Sequence, residues 1–164
     1  NHLLYSIITL MAIAMLFPIT AFAQAYVQTW DLVDSGKHLD YDGNSTYMSY
    51  INTGPATWNA YKSGVIRKDS AFVVEDVYVS DVNASNGWAG MTYSSGKIEL
   101  NTYYMSGYSN SKKQNVATHE LGHALGLDHS TSTDVMDAAI TGHTSTQALS
   151  QNDKDSYDAA YNNY

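Results

Sequence analysis

Residues 119–130 read His119-Glu120-Leu121-Gly122-His123-Ala124-Leu125-Gly126-Leu127-Asp128-His129-Ser130. On a helix, His119 and His123 share one face with Cβ atoms about 5–6 Å apart. Both imidazoles then reach one ion at the roughly 2.0–2.1 Å of a zinc–nitrogen bond. Gly126, with no Cβ, can take the left-handed conformation, end the helix and turn the chain, so that His129 approaches the same ion from outside it. Three neutral imidazoles leave a fourth position for water, which marks a catalytic rather than a structural zinc. Glu120 is the general base of such a motif: it takes a proton from the metal-held water and passes it to the leaving amine. The chemistry is hydrolysis of an amide without a covalent intermediate. Five fixed residues of these types coincide by chance in about one chain of this length in 10⁵.

These side chains need a helix, and the helix needs a frame. Residues 111–125 contain no Pro and no turn cluster and read as that helix. Upstream, Tyr47, Met48, Ile51, Trp58 and Tyr61 recur mostly at spacings of three and four, which predicts an amphipathic helix over 45–61, kinked at Gly54-Pro55 and ended by Gly64. Residues 24–43 mix acidic side chains with Trp30, Leu32, Val33 and Leu39 and read as a first strand plus turns. Residues 71–79 (AFVVEDVYV) read as a strand. Asn86-Gly87 signals a turn before a short strand at 88–93, Ser94-Ser95-Gly96 turns the chain, and 97–101 (KIELN) reads as another strand. Ser150 followed by Asp153 resembles an acidic capping box opening a last helix to about Tyr161. The class predicted is α+β: a small twisted mixed sheet with an N-terminal helix, an active-site helix and a C-terminal helix.

Composition narrows the alternatives. The 164 residues carry 16 Asp+Glu against 8 Lys+Arg, a net charge of −8, and no Cys. A disulfide scaffold, a thiolate metal site, a Cys nucleophile and a Cys clamp on the metal are excluded. With so few basic residues and a pI near 4.9, nucleic acid is not an expected partner. Residues 1–30 contain no Asp, Glu, Lys or Arg, and the apolar run at 3–17 is followed by Pro18 and Ala21-Phe22-Ala23. This reads as a signal peptide over 1–23, cleaved before Gln24, with the catalytic domain at 24–164. The run is shorter than the roughly 20 residues a bilayer needs, so the expected product is secreted, without stable membrane association, and monomeric. The chain opens on Asn1 without a basic flank, as a start-truncated leader would.

The run HELGHALGLDHS resembles the metzincin zinc peptidases, whose pattern is HExxHxxGxxH, and Gly122 with Ser130 is most similar to the matrixin branch. The resemblance implies a zincin-like catalytic domain that hydrolyses protein or peptide substrates with one catalytic Zn2+. It makes Met136, seven residues after His129, the Met-turn whose thioether floors the ligands without binding metal. It also implies an extended substrate lying antiparallel along an edge strand at Gly87, Trp88, Ala89, Gly90 and Met91. The S1′ pocket beside His119 would be walled by residues 138–143, including Ala138, Ala139 and Ile140. Matrixins usually follow the Met with Tyr-Pro and carry a structural zinc and calcium loop; here Met136-Asp137-Ala138 stands instead, and no His-x-Asp run precedes the site.

Other residues keep two readings. Residues 24–42 are either part of the domain or a short pro-segment in which Asp31, Asp34, Asp40 or Asp42 caps the metal. His143 is a candidate substrate contact, and His38 a surface residue. Asp128 either supports a ligand or its backbone or faces solvent. Tyr103, Tyr104 and Tyr108 either line the non-primed cleft or form half-buried surface. Asp69, Glu75, Asp76 and Asp81 offer oxygen ligands for Ca2+, with no pattern that assigns them. A rival from another class is a non-catalytic, toxin-like zinc-binding module of the same fold, in which Glu120 would have no use.

Overall fold

The computed structural model describes residues 24–70 and 73–164. The leader read at 1–23 lies outside the described residues, as do Ala71 and Phe72 of the strand read at 71–79. Five strands, β1 (Leu39–Gly43), β2 (Ile66–Lys68), β3 (Val77–Val82), β4 (Gly90–Tyr93) and β5 (Lys97–Asn101), form one sheet in the order β2-β1-β3-β5-β4. β2, β1, β3 and β5 run parallel; β4 is antiparallel to β5 and closes one edge. Period-two alternation decides the inner face: Val77, Val79, Ile98 and Leu100 are buried, while Tyr78 and Lys97 face solvent. The helices are α1 (Met48–Thr53), α2 (Pro55–Asn59), α3 (Thr102–Met105), α4 (Asn110–Ala124) and α5 (Gln151–Tyr161). Among the described residues, no helix is long and apolar enough to cross a membrane. The class is the α+β mixed-sheet one that the sequence predicts.

α4 carries His119, Glu120 and His123, and it is held from several sides. Ser109 caps its start, its side chain accepting from Lys112 N. β4 packs against it, as do α1 and α2. At the α1–α2 junction a Cβ on Gly54 would stand 2.7 Å from Leu121 Cδ1, so any larger residue would push this fully buried side chain aside. Trp58 is fully buried, donates from Nε1 to Thr118 O at 2.9 Å, and meets the Tyr157 ring edge-on at 5.6 Å. The helix is therefore buried from Asn115 to Gly122, which is why it shows no clean apolar stripe. The segment before β1 straps its end: Val27 pairs antiparallel with Leu127, Gln28 N donates to Gly126 O, and Leu32 N donates to Ala124 O.

Three expectations change. The strand read from 71 begins only at Val77; Val74 is 83% exposed, and the polar Glu75-Asp76 pair leads into the buried register. The helix at 45–61 is two helices, with Pro55 at the first position of α2, where its missing N–H has no helical partner to lose. The first strand is only Leu39–Gly43, and it lies between β2 and β3. β2 and α3, of three and four residues, are too short for periodicity to register.

Trp58→Ala should lower the unfolding free energy by about 3–5 kcal/mol, measured by denaturant titration. A loss below about 1 kcal/mol would contradict its place in the core.

Candidate active site

The histidines converge as their spacing requires. α4 ends in a Schellman turn: Gly126 has φ +85°, its N–H donates to His123 O at 2.9 Å, and Leu127 N donates to Gly122 O at 3.1 Å. This reversal brings His129 back toward the helix. The nitrogens of His119, His123 and His129 lie within 4.8 Å of one another, and His123 Nε2 stands 3.2 Å from His129 Nε2. Nδ1 of His119 is 2.8 Å from Val135 O, and Nδ1 of His123 is 2.8 Å from Leu127 O. A carbonyl only accepts, so each Nδ1 carries the proton and each Nε2 keeps its lone pair for a metal. Burial pushes the His119 imidazole down to about 3, with His123 adding to the effect, and burial pushes His123 down to about 4 against the Leu127 hydrogen bond. Both are neutral at pH 7, the form that binds metal. Three imidazoles directed at one point fit a zinc ion.

Glu120 is buried and faces β4. Thr92 Oγ1 lies 2.7 Å from Glu120 Oε2 and 3.0 Å from Glu120 O. Burial pushes the carboxyl up to about 7, opposed by the Thr92 hydrogen bond. A Cβ on Gly90 would meet Glu120 Oε1 at 2.5 Å, so Gly90 clears the space this carboxylate occupies. Thr92 was not singled out from sequence; its signal is strand alternation, which puts it on the same face of β4 as Gly90.

Met136 lies under the site, fully buried. A Cβ on Gly122 would stand 2.3 Å from Met136 Sδ and 2.7 Å from Trp58 Cζ2, so glycine lets the sulfur approach the helix one residue before His123. Asp153, also fully buried, accepts from Val135 N at 2.9 Å, Met136 N at 3.1 Å and Ser150 N at 2.9 Å. Ser150 Oγ in turn accepts from Asp153 N, completing the capping box of α5. One carboxylate thus ties the last helix to the turn whose Val135 carbonyl holds His119. The sequence shows the box but not this second use.

A cleft of about 450 Å³ opens on the histidines. Gly87, Trp88, Ala89, Gly90 and Met91 line it, as do Ala138 and Ile140; Ala139 does not, its N–H turned to Asp137 Oδ1 at 2.8 Å. Tyr104 and Tyr108 line it and Tyr103 does not. Tyr104 OH accepts from Gly87 N at 2.9 Å, anchoring the bend that leads into the edge strand. Asp128 Oδ1 accepts from His129 N at 2.7 Å, supporting the backbone of the third histidine. None of Asp31, Asp34, Asp40 and Asp42 lines the cleft: Asp31 accepts from Val33 N, Asp34 from His38 N, and Asp40 takes both arms of the Arg67 fork. Nor do Asp69, Glu75, Asp76 and Asp81 gather into one site among the described residues; Asp76 instead adjoins Asp34 and Asp40.

Gln28 is the least foreseen neighbour. Its amide nitrogen is placed 2.9 Å from His123 Nδ1, and its Oε1 is buried without a partner. Nδ1 already carries a proton for Leu127 O, so two donors would face each other. Turning the amide about its last bond removes the clash: Oε1 then faces Nδ1 and shares its single proton with Leu127 O. Gln28→Ala should weaken zinc binding about 10- to 100-fold in a chelator competition; unchanged affinity would show that the carbonyl of Leu127 suffices.

No curated protein sequence matches the chain. Among solved structures it is similar to archaemetzincin from Methanopyrus kandleri, with a TM-score of 0.56 at 12% identity over 79% of this chain and 99% of that one. It is also similar to high choriolytic enzyme 1, a hatching enzyme zinc-protease from Oryzias latipes, with a TM-score of 0.48 at 14% identity over 81% and 94%. At these identities the first likeness speaks for the fold alone. The family model for Matrixin matches residues 20–162, which span the sheet, α4, Met136 and α5. The chain belongs to the matrixin family of zinc metallopeptidases.

Proposed function

We propose that this chain is a secreted endopeptidase that cuts extended peptides lying along β4, with Glu120 as its general base and His119, His123 and His129 holding zinc. The observation that carries the reading is the convergence of the three imidazoles on one point beside Glu120, a buried carboxylate on the helix that supplies two of them. When bound, the zinc supplies Lewis acidity toward the scissile carbonyl and toward water. Thr92 occupies Oε2 of Glu120 and leaves Oε1 as the oxygen that takes and returns the proton. A group titrating near 7 is matched to both halves of that transfer at neutral pH. β4 is the edge of the sheet and offers an unpaired backbone to a substrate strand. Ala138, Ile140 and Val116 give the primed side an apolar wall, which favours an apolar P1′ side chain. Secretion rests on the leader-like composition of residues 1–23. A purely zinc-binding module would have no use for a buried base held by Thr92.

The test is cleavage of a quenched-fluorescent peptide mixture beside zinc content. The wild-type protein should cut and lose activity with a chelator, whereas Glu120→Gln should keep its zinc and lose about 10²- to 10⁴-fold in rate. Full activity in that variant would overturn the mechanism, and bound zinc without any wild-type cleavage would favour the binding module.

A further inference from the structure

The wall that follows Met136 is closed on itself by a pair of side chains. Asp137 Oδ2 lies 2.8 Å from His143 Nε2, both partners largely shielded, with side chains 13% and 19% exposed. The other oxygen, Oδ1, accepts from Ala139 N at 2.8 Å, and Asp137 O accepts from Ile140 N at 2.9 Å. Between the two partners the chain makes one tight 3-10 turn, Ile140–Gly142, in which Gly142 N donates to Ala139 O at 2.7 Å. Ile140 is buried, and this turn packs on α4. Ala138, Ile140 and Thr141, the side chains that reach the cleft, all lie between the clamped ends.

The Asp137 end is fixed independently. Asp137 pairs with Ser130 as an isolated parallel bridge, and Ser130 N donates to Met136 O at 2.9 Å. This end is thus tied to the residue after the third histidine. The 143 end is held less directly: His143 N donates within the turn, to Ile140 O at 3.2 Å, and the next anchor comes two residues on, where buried Asn115 of α4 donates from Nδ2 to Ser145 O at 2.9 Å and accepts from Gln147 N at 3.0 Å. The imidazole of His143 is therefore the direct link between the two ends of the wall, closing the slack left between Asp137 and the anchor at Ser145. An imidazole with its proton on Nε2 donates to the carboxylate whether or not Nδ1 is also protonated, so the clamp needs no change of protonation.

We propose that His143 is a specificity-determining residue. By holding Asp137, it fixes the primed-side wall at the spacing that selects the P1′ side chain, without itself touching the reacting atoms. This rests on the peptidase reading above. A pocket discriminates by contact with a wall that does not yield, and one methylene more or less is worth roughly 10- to 200-fold in kcat/KM. Without the clamp the wall is held only at Asp137 and, beyond its other end, at Ser145, and it yields between them, so a large P1′ group loses its advantage while a small one, which never reaches the wall, is unaffected.

The experiment compares zinc-loaded wild type, His143→Ala and His143→Gln on two peptides that differ only in Leu or Ala at P1′, with amide hydrogen exchange on the same samples. His143→Ala should lower kcat/KM for the Leu peptide about tenfold, mostly through KM, and change the Ala peptide less than twofold. His143→Gln, which keeps a side-chain donor, should recover most of the loss. In His143→Ala the amides of Ile140 and Gly142 should exchange at least tenfold faster while those of α4 stay protected. An unchanged Leu/Ala ratio, an equal fall on both peptides, or unaltered exchange at Ile140 and Gly142 would each overturn the proposal. A wild-type protein that cuts neither peptide would overturn the peptidase reading, whereas the exchange result still decides whether the clamp exists.

Discussion

Three imidazoles from two directions have to meet at one point, and the rest of the structure answers to that constraint. Two come from successive turns of α4 and need only a straight helix. The third needs the chain to double back within three residues of the helix end, which the left-handed backbone at Gly126 accomplishes. A ring that can rotate about its side-chain bonds would waste this convergence. The carbonyls of Val135 and Leu127 fix the proton on Nδ1 of His119 and His123 and orient each Nε2.

Placing such groups inside a protein is costly, because a buried polar atom without a partner loses its water and gains nothing. α4 is buried along most of its length, so His119 and Glu120 depend on partners from outside the helix. The turn at Met136 supplies one to His119, and β4 supplies Thr92 to Glu120. That turn is in turn held by Asp153 of α5, so the C-terminal helix acts on the site through a carboxylate and two backbone amides. Glycine works in the opposite sense at Gly90 and Gly122: each lets a functional side chain occupy space that any Cβ would fill.

The parts of this arrangement visible in the sequence are those set by local spacing. The histidines four apart, the glycine before the third, the Ser150–Asp153 box, the KIELN strand and the kink at Gly54-Pro55 each depend on neighbours within one or two turns. What escaped sequence reading joins distant segments. Gln28 and His123 are 95 residues apart, Thr92 and Glu120 are 28 apart, and the sheet order that makes β4 an edge is a property of the whole chain. Val73 and Val74 show the converse error: β-branched residues just ahead of a strand read as its beginning, although among the described residues no partner strand pairs with them.

The central claim is that His119, His123 and His129 hold one zinc and leave it open to water. Zinc K-edge X-ray absorption on the protein measures this directly. Three imidazole nitrogens at about 2.0–2.1 Å with one further oxygen is the predicted shell. A shell closed by a fourth protein ligand, or the absence of stoichiometric zinc, would contradict it.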